Sequence, residues 1–177
     1  CLLLTPCLTS AVLAQIGHHR RAGEINAAGS LLTLIAAVLL TARVIGEGPM
    51  QVLDEQFFVD PLNVFLILLT AFVGFTTALF SRPYMRIEHD HGRLSANRLR
   101  LYHSMFQMFM CTMLIALSTN NLGILWVAME AATLTTVLLV ALYRTPASLE
   151  AAWKYFILCG VGIAQALFGT ILIYFAA

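Results

Sequence analysis

Charge is what this sequence has least of. Ten basic and nine acidic residues make up 11% of 177 positions, against about 25% in soluble domains. Nineteen charges cannot cover a water-facing surface of this size, and the mean hydropathy is +0.85. Those figures place the chain in a bilayer. A net charge of +1 excludes a nucleic-acid partner bound by counterion release. Cysteine is also sparse: Cys1, Cys7, Cys111 and Cys159. None forms a Cys-x-x-Cys pair, which argues against a zinc ribbon, an iron–sulfur site or a disulfide framework. There is no phosphate-cradling Gly-Lys-Ser/Thr loop, no Gly-x-Ser-x-Gly elbow and no dinucleotide fingerprint. The chain itself carries no visible cofactor or metal site.

What is present in abundance is long apolar runs, and 60% of the residues are hydrophobic. The fold class they predict is all-α, a polytopic membrane protein forming a single helical domain. Six spans are expected, at about 2–17, 27–46, 61–81, 102–119, 121–143 and 152–176. Strands of a β-barrel would be about ten residues of alternating polarity; these runs are longer and apolar on all faces. Gly46, Gly48 and Pro49 mark the end of the second span, and Pro61 opens the third. The chain begins at Cys1 rather than Met and stops beside a long apolar run, so it reads as part of a longer protein. Residues 1–17 read as the tail of a membrane helix. A signal peptide would carry its basic residues first, whereas Arg20 and Arg21 follow the run.

The few charges sort by loop. Arg20 and Arg21 follow the first span; Arg82, Arg86, Arg93, Arg98 and Arg100 follow the third; Arg144 follows the fifth. The loop after the second span holds Glu47, Asp54, Glu55 and Asp60 with only Arg43 nearby, and the loop after the fourth is uncharged. The positive-inside rule then puts loops after odd-numbered spans, including 82–100, in the cytoplasm and the N-terminus outside.

Glu130 breaks the pattern. It lies nine positions after Asn121, roughly 13 Å along a helix and close to the bilayer midplane. A carboxylate there costs about 2.5–3.5 kcal/mol, and glutamate is too short to reach the interface. It must face other helices, a cation or water, or be protonated, and a group so placed can take up and release protons. The bland alternative is a glutamate that fixes helix packing. Lys154 opens the sixth span, where it either snorkels or exchanges a proton with Glu130. Arg100, His103, Gln107 and Cys111 fall on one helical face. His103 and Gln107 are therefore candidates for a polar inlet, or part of a stripe against neighbouring helices. Gln165 is expected to make one interhelical hydrogen bond. Gly162, Ala166 and Gly169, and Gly74 with Ala78, are small-residue faces suited to close packing. His89-Asp90-His91 reads as solvated loop.

Three stretches resemble the antiporter-like proton-translocating subunits of respiratory complex I. They are Asp60-Pro-Leu-Asn-Val-Phe, Asn120-Asn-Leu-Gly-Ile-Leu-Trp-Val-Ala-Met-Glu130 and Glu150-Ala-Ala-Trp-Lys154-Tyr-Phe. From Leu101 to Ala177 the sequence is most similar to hydrogenase-4 component F, a subunit of membrane-bound nickel–iron hydrogenase and formate hydrogenlyase-type complexes. The resemblance implies roughly fourteen transmembrane helices with two inverted repeats, of which this chain would supply the first six. It implies that Glu130 is the family's fifth-helix glutamate and Lys154 its sixth-helix lysine. A seventh-helix lysine that pairs with the glutamate would lie beyond Ala177. It also implies a non-redox subunit of an oxidoreductase complex in the inner membrane. Other membrane subunits and a peripheral redox arm would be its partners, and the nickel–iron and iron–sulfur centres would sit in those partners. Rival readings are a subunit of a multi-subunit sodium/proton antiporter, the membrane half of an inorganic-carbon uptake system, and a structural membrane anchor.

Overall fold

The computed structural model describes residues 2–16, 21–53 and 56–176. Cys1, Arg20, Asp54, Glu55 and Ala177, named above, lie outside the described residues. Six α-helices appear in the expected order: α1 (Leu4–Ile16), α2 (Ala22–Glu47), α3 (Pro61–Asp90), α4 (Ala96–Ser118), α5 (Leu122–Val140) and α6 (Pro146–Ala176). Five, α2 to α6, are long and apolar enough to cross a bilayer, α5 being counted with the 3-10 turn Ala141–Tyr143 that continues it. The thirteen residues of α1 rise only about 20 Å, short of a hydrocarbon core of about 30 Å. The protein is a multi-pass membrane protein.

Local chemistry sets the helix ends. Asp60 caps α3, its carboxylate accepting the N–H of Asn63 at 2.7 Å, and Pro61 occupies the first turn where no N–H is needed. Asn121 caps α5 by accepting from Gly123 at 2.8 Å and Ile124 at 3.3 Å. After α2 the chain turns at Gly48, whose φ of +91° suits a residue without Cβ.

Two features differ from the sequence expectation. The segment 82–100, read as a loop, is a loop only over 91–95, because α3 runs through Pro83 to Asp90 and α4 starts at Ala96. Hydropathy falls where the helix leaves the hydrocarbon, but the helical hydrogen bonds continue. The thirty residues of α3 rise about 45 Å, well beyond the apolar layer. Met85 on this extension packs with Leu94, Leu99 and Leu142, so the extension has its own apolar face. The second feature is an antiparallel hairpin between α2 and α3, formed by β1 (Met50–Val52) and β2 (Phe57–Val59). It covers the α4–α5 turn: Gln56 O accepts the N–H of Asn120 at 2.8 Å, and Gln56 Oε1 accepts from Asn121 Nδ2 at 2.8 Å.

Helix α4 is the hub, packed against α1, α2, α3 and α5. It approaches α3 at Gly74, where an added Cβ would lie 2.3 Å from Met110 Cε. At Gly29, α2 meets α1: a Cβ would lie 2.5 Å from Thr9 Cγ2. An apolar core of Ala37, Val44, Val59, Val64, Ile67, Ala71 and Leu114 fills the end near the hairpin. Helix α6 packs mainly on α5 and the 3-10 turn that continues it, and Ala152 is its one buried residue among those described.

Candidate functional site

Glu130 stands in the middle of α5, eight residues after its start and ten before its end. It is half-buried and makes no hydrogen bond or ion pair among the described residues. Trp126 precedes it by one turn and shares its face. The Trp126 indole N–H donates to the carbonyl of Ile163 on α6 at 3.0 Å, so this face borders α6. The same bond sets the register of the antiparallel pair. With Trp126 opposite Ile163, Glu130 is level with Cys159. Ala152, packed beside Val137 and Leu138, and Tyr155, against Thr136, fit that alignment.

Lys154 is not brought to Glu130. It lies five positions from Cys159, roughly 7–8 Å along the axis from Glu130's level. Its side chain is 69% exposed and pairs with Glu150 one turn earlier on α6. Tyr155 meets Thr136 and Ile163 meets Trp126 on α5, and Ala152 is buried beside Val137 and Leu138; Lys154, paired with Glu150, lies off that stripe. Gln165 and the Gly162–Ala166 stripe are exposed too, and a Cβ at Gly162 would meet nothing within 4 Å. Among the described residues, Gln165 has no interhelical hydrogen-bond partner.

His103 and Gln107 are buried, 2% and 0% exposed, between α4 and α2. Gln107 Nε2 donates toward Asn26 O (3.0 Å), Asn26 Oδ1 (2.8 Å) and Ser30 Oγ (2.8 Å). One turn nearer the arginine-bearing end, His103 forms the floor of a cavity of about 350 Å³ whose rim includes Arg82, Arg86, His89 and Asp90. Both arginines approach Glu24 of α2, at 3.6 and 3.9 Å. Arg100, placed on the same face by spacing, instead lines a separate depression with Arg98 and Arg144. Cys111 lies deeper, its thiol 3.6 Å from the carbonyl of Leu3. His89 and His91 are exposed at the end of α3, and no group of three metal-ligand residues occurs among the described residues.

Sequence reading missed two sets of residues. Asn26 and Ser30 form a polar pair at helical spacing, but Asn26 fell just outside the expected second span. Glu88 fell in the expected loop. Its side chain is 6% exposed, and it accepts from Arg93 Nη1 at 2.9 Å and from the Tyr143 hydroxyl at 3.2 Å.

Comparison with known proteins agrees with this architecture. A family model described as NADH:quinone oxidoreductase/Mrp antiporter, transmembrane, matches residues 119–177, which include Glu130 and Lys154. A hydrogenase-4 component F homolog from Methylacidiphilum infernorum (isolate V4) is 47% identical over 175 residues, covering 99% of this chain and 36% of that protein. NADH-quinone oxidoreductase subunit N of Polaromonas naphthalenivorans (strain CJ2) is 28% identical over 175 residues, covering 98% of this chain and 33% of that protein. F(420)H(2) dehydrogenase subunit N of Methanosarcina mazei is 29% identical over 176 residues, covering 94% and 34%. The chain thus spans about a third of the length of these relatives. It belongs to the antiporter-like membrane subunits of the NADH:quinone oxidoreductase and membrane-bound hydrogenase superfamily.

Proposed function

We propose that this chain is the Glu130-bearing part of a subunit that moves protons across the inner membrane. The complex would be of hydrogenase-4 or NADH-quinone oxidoreductase type. The observation that carries the reading is a carboxyl half-buried at mid-helix in α5, inside the segment matched by the family model. An ionised carboxylate at that depth is costly, so its charge state depends on whether a cation stands near. A partner cation that approaches and withdraws would make Glu130 bind and release a proton in turn. Lys154, held by Glu150 at the arginine-bearing end of α6, is the one Lys or Arg of that helix and would exchange protons with the cytoplasm. The arginine distribution supports placing this end in the cytoplasm. Redox chemistry, with its metal centres, would belong to partner subunits in a peripheral arm.

The test is Glu130→Gln in the full-length subunit within its complex, reconstituted in vesicles. Proton translocation should be lost while assembly and electron transfer persist. Translocation at the wild-type level would overturn the assignment. Loss of assembly without any loss of flux per assembled complex would favour a structural anchor.

A further inference from the structure

Among the described residues, four buried side-chain nitrogen or oxygen atoms have no hydrogen-bond partner: Asn26 Nδ2, Arg82 Nε, His103 Nδ1 and Gln107 Oε1. All four belong to one place, the junction of α2, α3 and α4. Buried polar atoms are nearly always satisfied, and each one left unpaired costs about 1–3 kcal/mol. Their concentration at one junction marks a site that takes a polar ligand.

The chemistry of the four atoms identifies the ligand. Asn26 Nδ2 and Arg82 Nε are donors, Gln107 Oε1 is an acceptor, and an imidazole nitrogen can be either. The amide orientations are fixed from outside the set. The main-chain carbonyl of Asn26 lies 3.0 Å from Gln107 Nε2, so that atom must be the donor nitrogen. A bare cation would need acceptors only, and a simple anion donors only. A mixed set fits water, which donates and accepts at once. The cavity above His103, about 350 Å³, has room for several waters at about 30 Å³ each. It opens at the arginine-bearing end. His103 separates it from the Asn26–Ser30–Gln107 clasp below.

We infer that α2, α3 and α4 enclose a hydrated branch that carries protons from the arginine-bearing end of the bundle to the level of Gln107, with His103 as the relay. The inference rests on the proton-transport reading and extends it to helices that do not carry Glu130. A proton taken up on one ring nitrogen of His103 and released from the other leaves the opposite tautomer, and a turn of the ring or proton exchange with the cavity water resets it before the next passage. The charged and titratable groups around the ring are Glu24 of α2, Arg82, Arg86, His89 and Asp90 of α3, and Tyr102 of α4. The tight α4–α5 hairpin sets Glu130 level with Cys111, so Gln107 lies one turn short of Glu130's depth.

Two measurements on the full-length subunit in its complex test this. First, His103→Phe and Gln107→Leu should each lower proton translocation per electron by about tenfold or more, the scale of a lost proton-transfer group, with electron transfer retained. Second, in a background lacking every cysteine, Cys1, Cys7, Cys111 and Cys159 included, Ser30→Cys should react with 2-aminoethyl methanethiosulfonate added at the arginine-bearing side. Its rate should exceed that of Ala37→Cys, in the dry core of the same helix, by about tenfold or more, since the thiolate forms only where water reaches. If Gln107→Leu fails to assemble, the labelling result decides. Wild-type translocation in both variants, or equal labelling at positions 30 and 37, overturns the inference. If those variants pump normally while Glu130→Gln does not, the hydrated branch falls and the Glu130 reading stands. If Glu130→Gln itself pumps normally, that reading falls, and the labelling still decides whether the junction is wet.

Discussion

The Tyr143 hydroxyl donates to Glu88 Oε2 at 3.2 Å, joining the α5–α6 turn to the end of α3. Glu88 also accepts from Arg93 Nη1 at 2.9 Å, and the Tyr84 hydroxyl lies 3.2 Å from that of Tyr143. Arg98 Nη1 donates to the Tyr143 carbonyl at 3.2 Å. The turn that follows α5, the Glu130 helix, is thus tied to the α3–α4 loop by a buried carboxylate.

Arg93→Ala should therefore destabilise the protein in detergent by about 1–3 kcal/mol, because it strips a charged donor from a buried acceptor. Arg93 itself is 65% exposed, which places the cost toward the lower end. A change within about 0.5 kcal/mol, the range of an ordinary surface substitution, would show that Tyr143 alone satisfies Glu88.

The two close helix contacts should respond differently to a methyl group. At Gly29 the added Cβ meets Thr9 Cγ2, Oγ1 and Cβ at 2.5, 2.7 and 3.0 Å. Thr9 is short and β-branched, so α1 and α2 must separate. At Gly74 the clash is with the flexible end of Met110, which can swing aside. Gly29→Ala should cost about 1–3 kcal/mol, the usual range for overpacking, and Gly74→Ala less. Thermal unfolding of both variants checks the order, and the reverse order would show that α1 yields more readily than Met110.

Trp126→Phe removes the indole donor to Ile163 O and keeps most of the ring. The expected loss is about 1 kcal/mol, typical of a hydrogen bond between membrane helices. The same variant should loosen α6 against α5, seen as faster amide exchange in α6. Unchanged exchange there would mean that apolar packing alone holds the pair.

Lys154→Met should leave stability nearly unaltered, since an exposed ion pair such as that with Glu150 contributes about 0–1 kcal/mol. Proton translocation in the full complex should nonetheless fall, by less than in Glu130→Gln. Wild-type flux would reduce Lys154 to a residue that anchors the helix end at the interface.

Much of the architecture is written in one dimension. Runs of apolar residues define the helices because a bilayer demands them locally, each backbone group being satisfied within its own segment. The arginine alternation and the mid-span depth of Glu130 follow from position along the chain alone. For the same reason hydropathy ended the third span near residue 81: it senses lipid, not helix, and α3 outlasts the lipid by two turns. The hairpin escaped notice because its strands are three residues each, too short to show alternation.

Tertiary structure decided what each polar residue meets. Gln107 and Asn26 are 81 positions apart, and no local pattern says that one will clasp the other. Nor does the sequence say that Lys154 will turn off the α5-facing stripe while Tyr155 turns onto it. A residue's depth in the membrane is fixed by its own helix. Its partner is fixed by the packing of helices whose apolar faces are chemically alike, and close contacts such as Gly29 against Thr9 and Gly74 against Met110 set that packing.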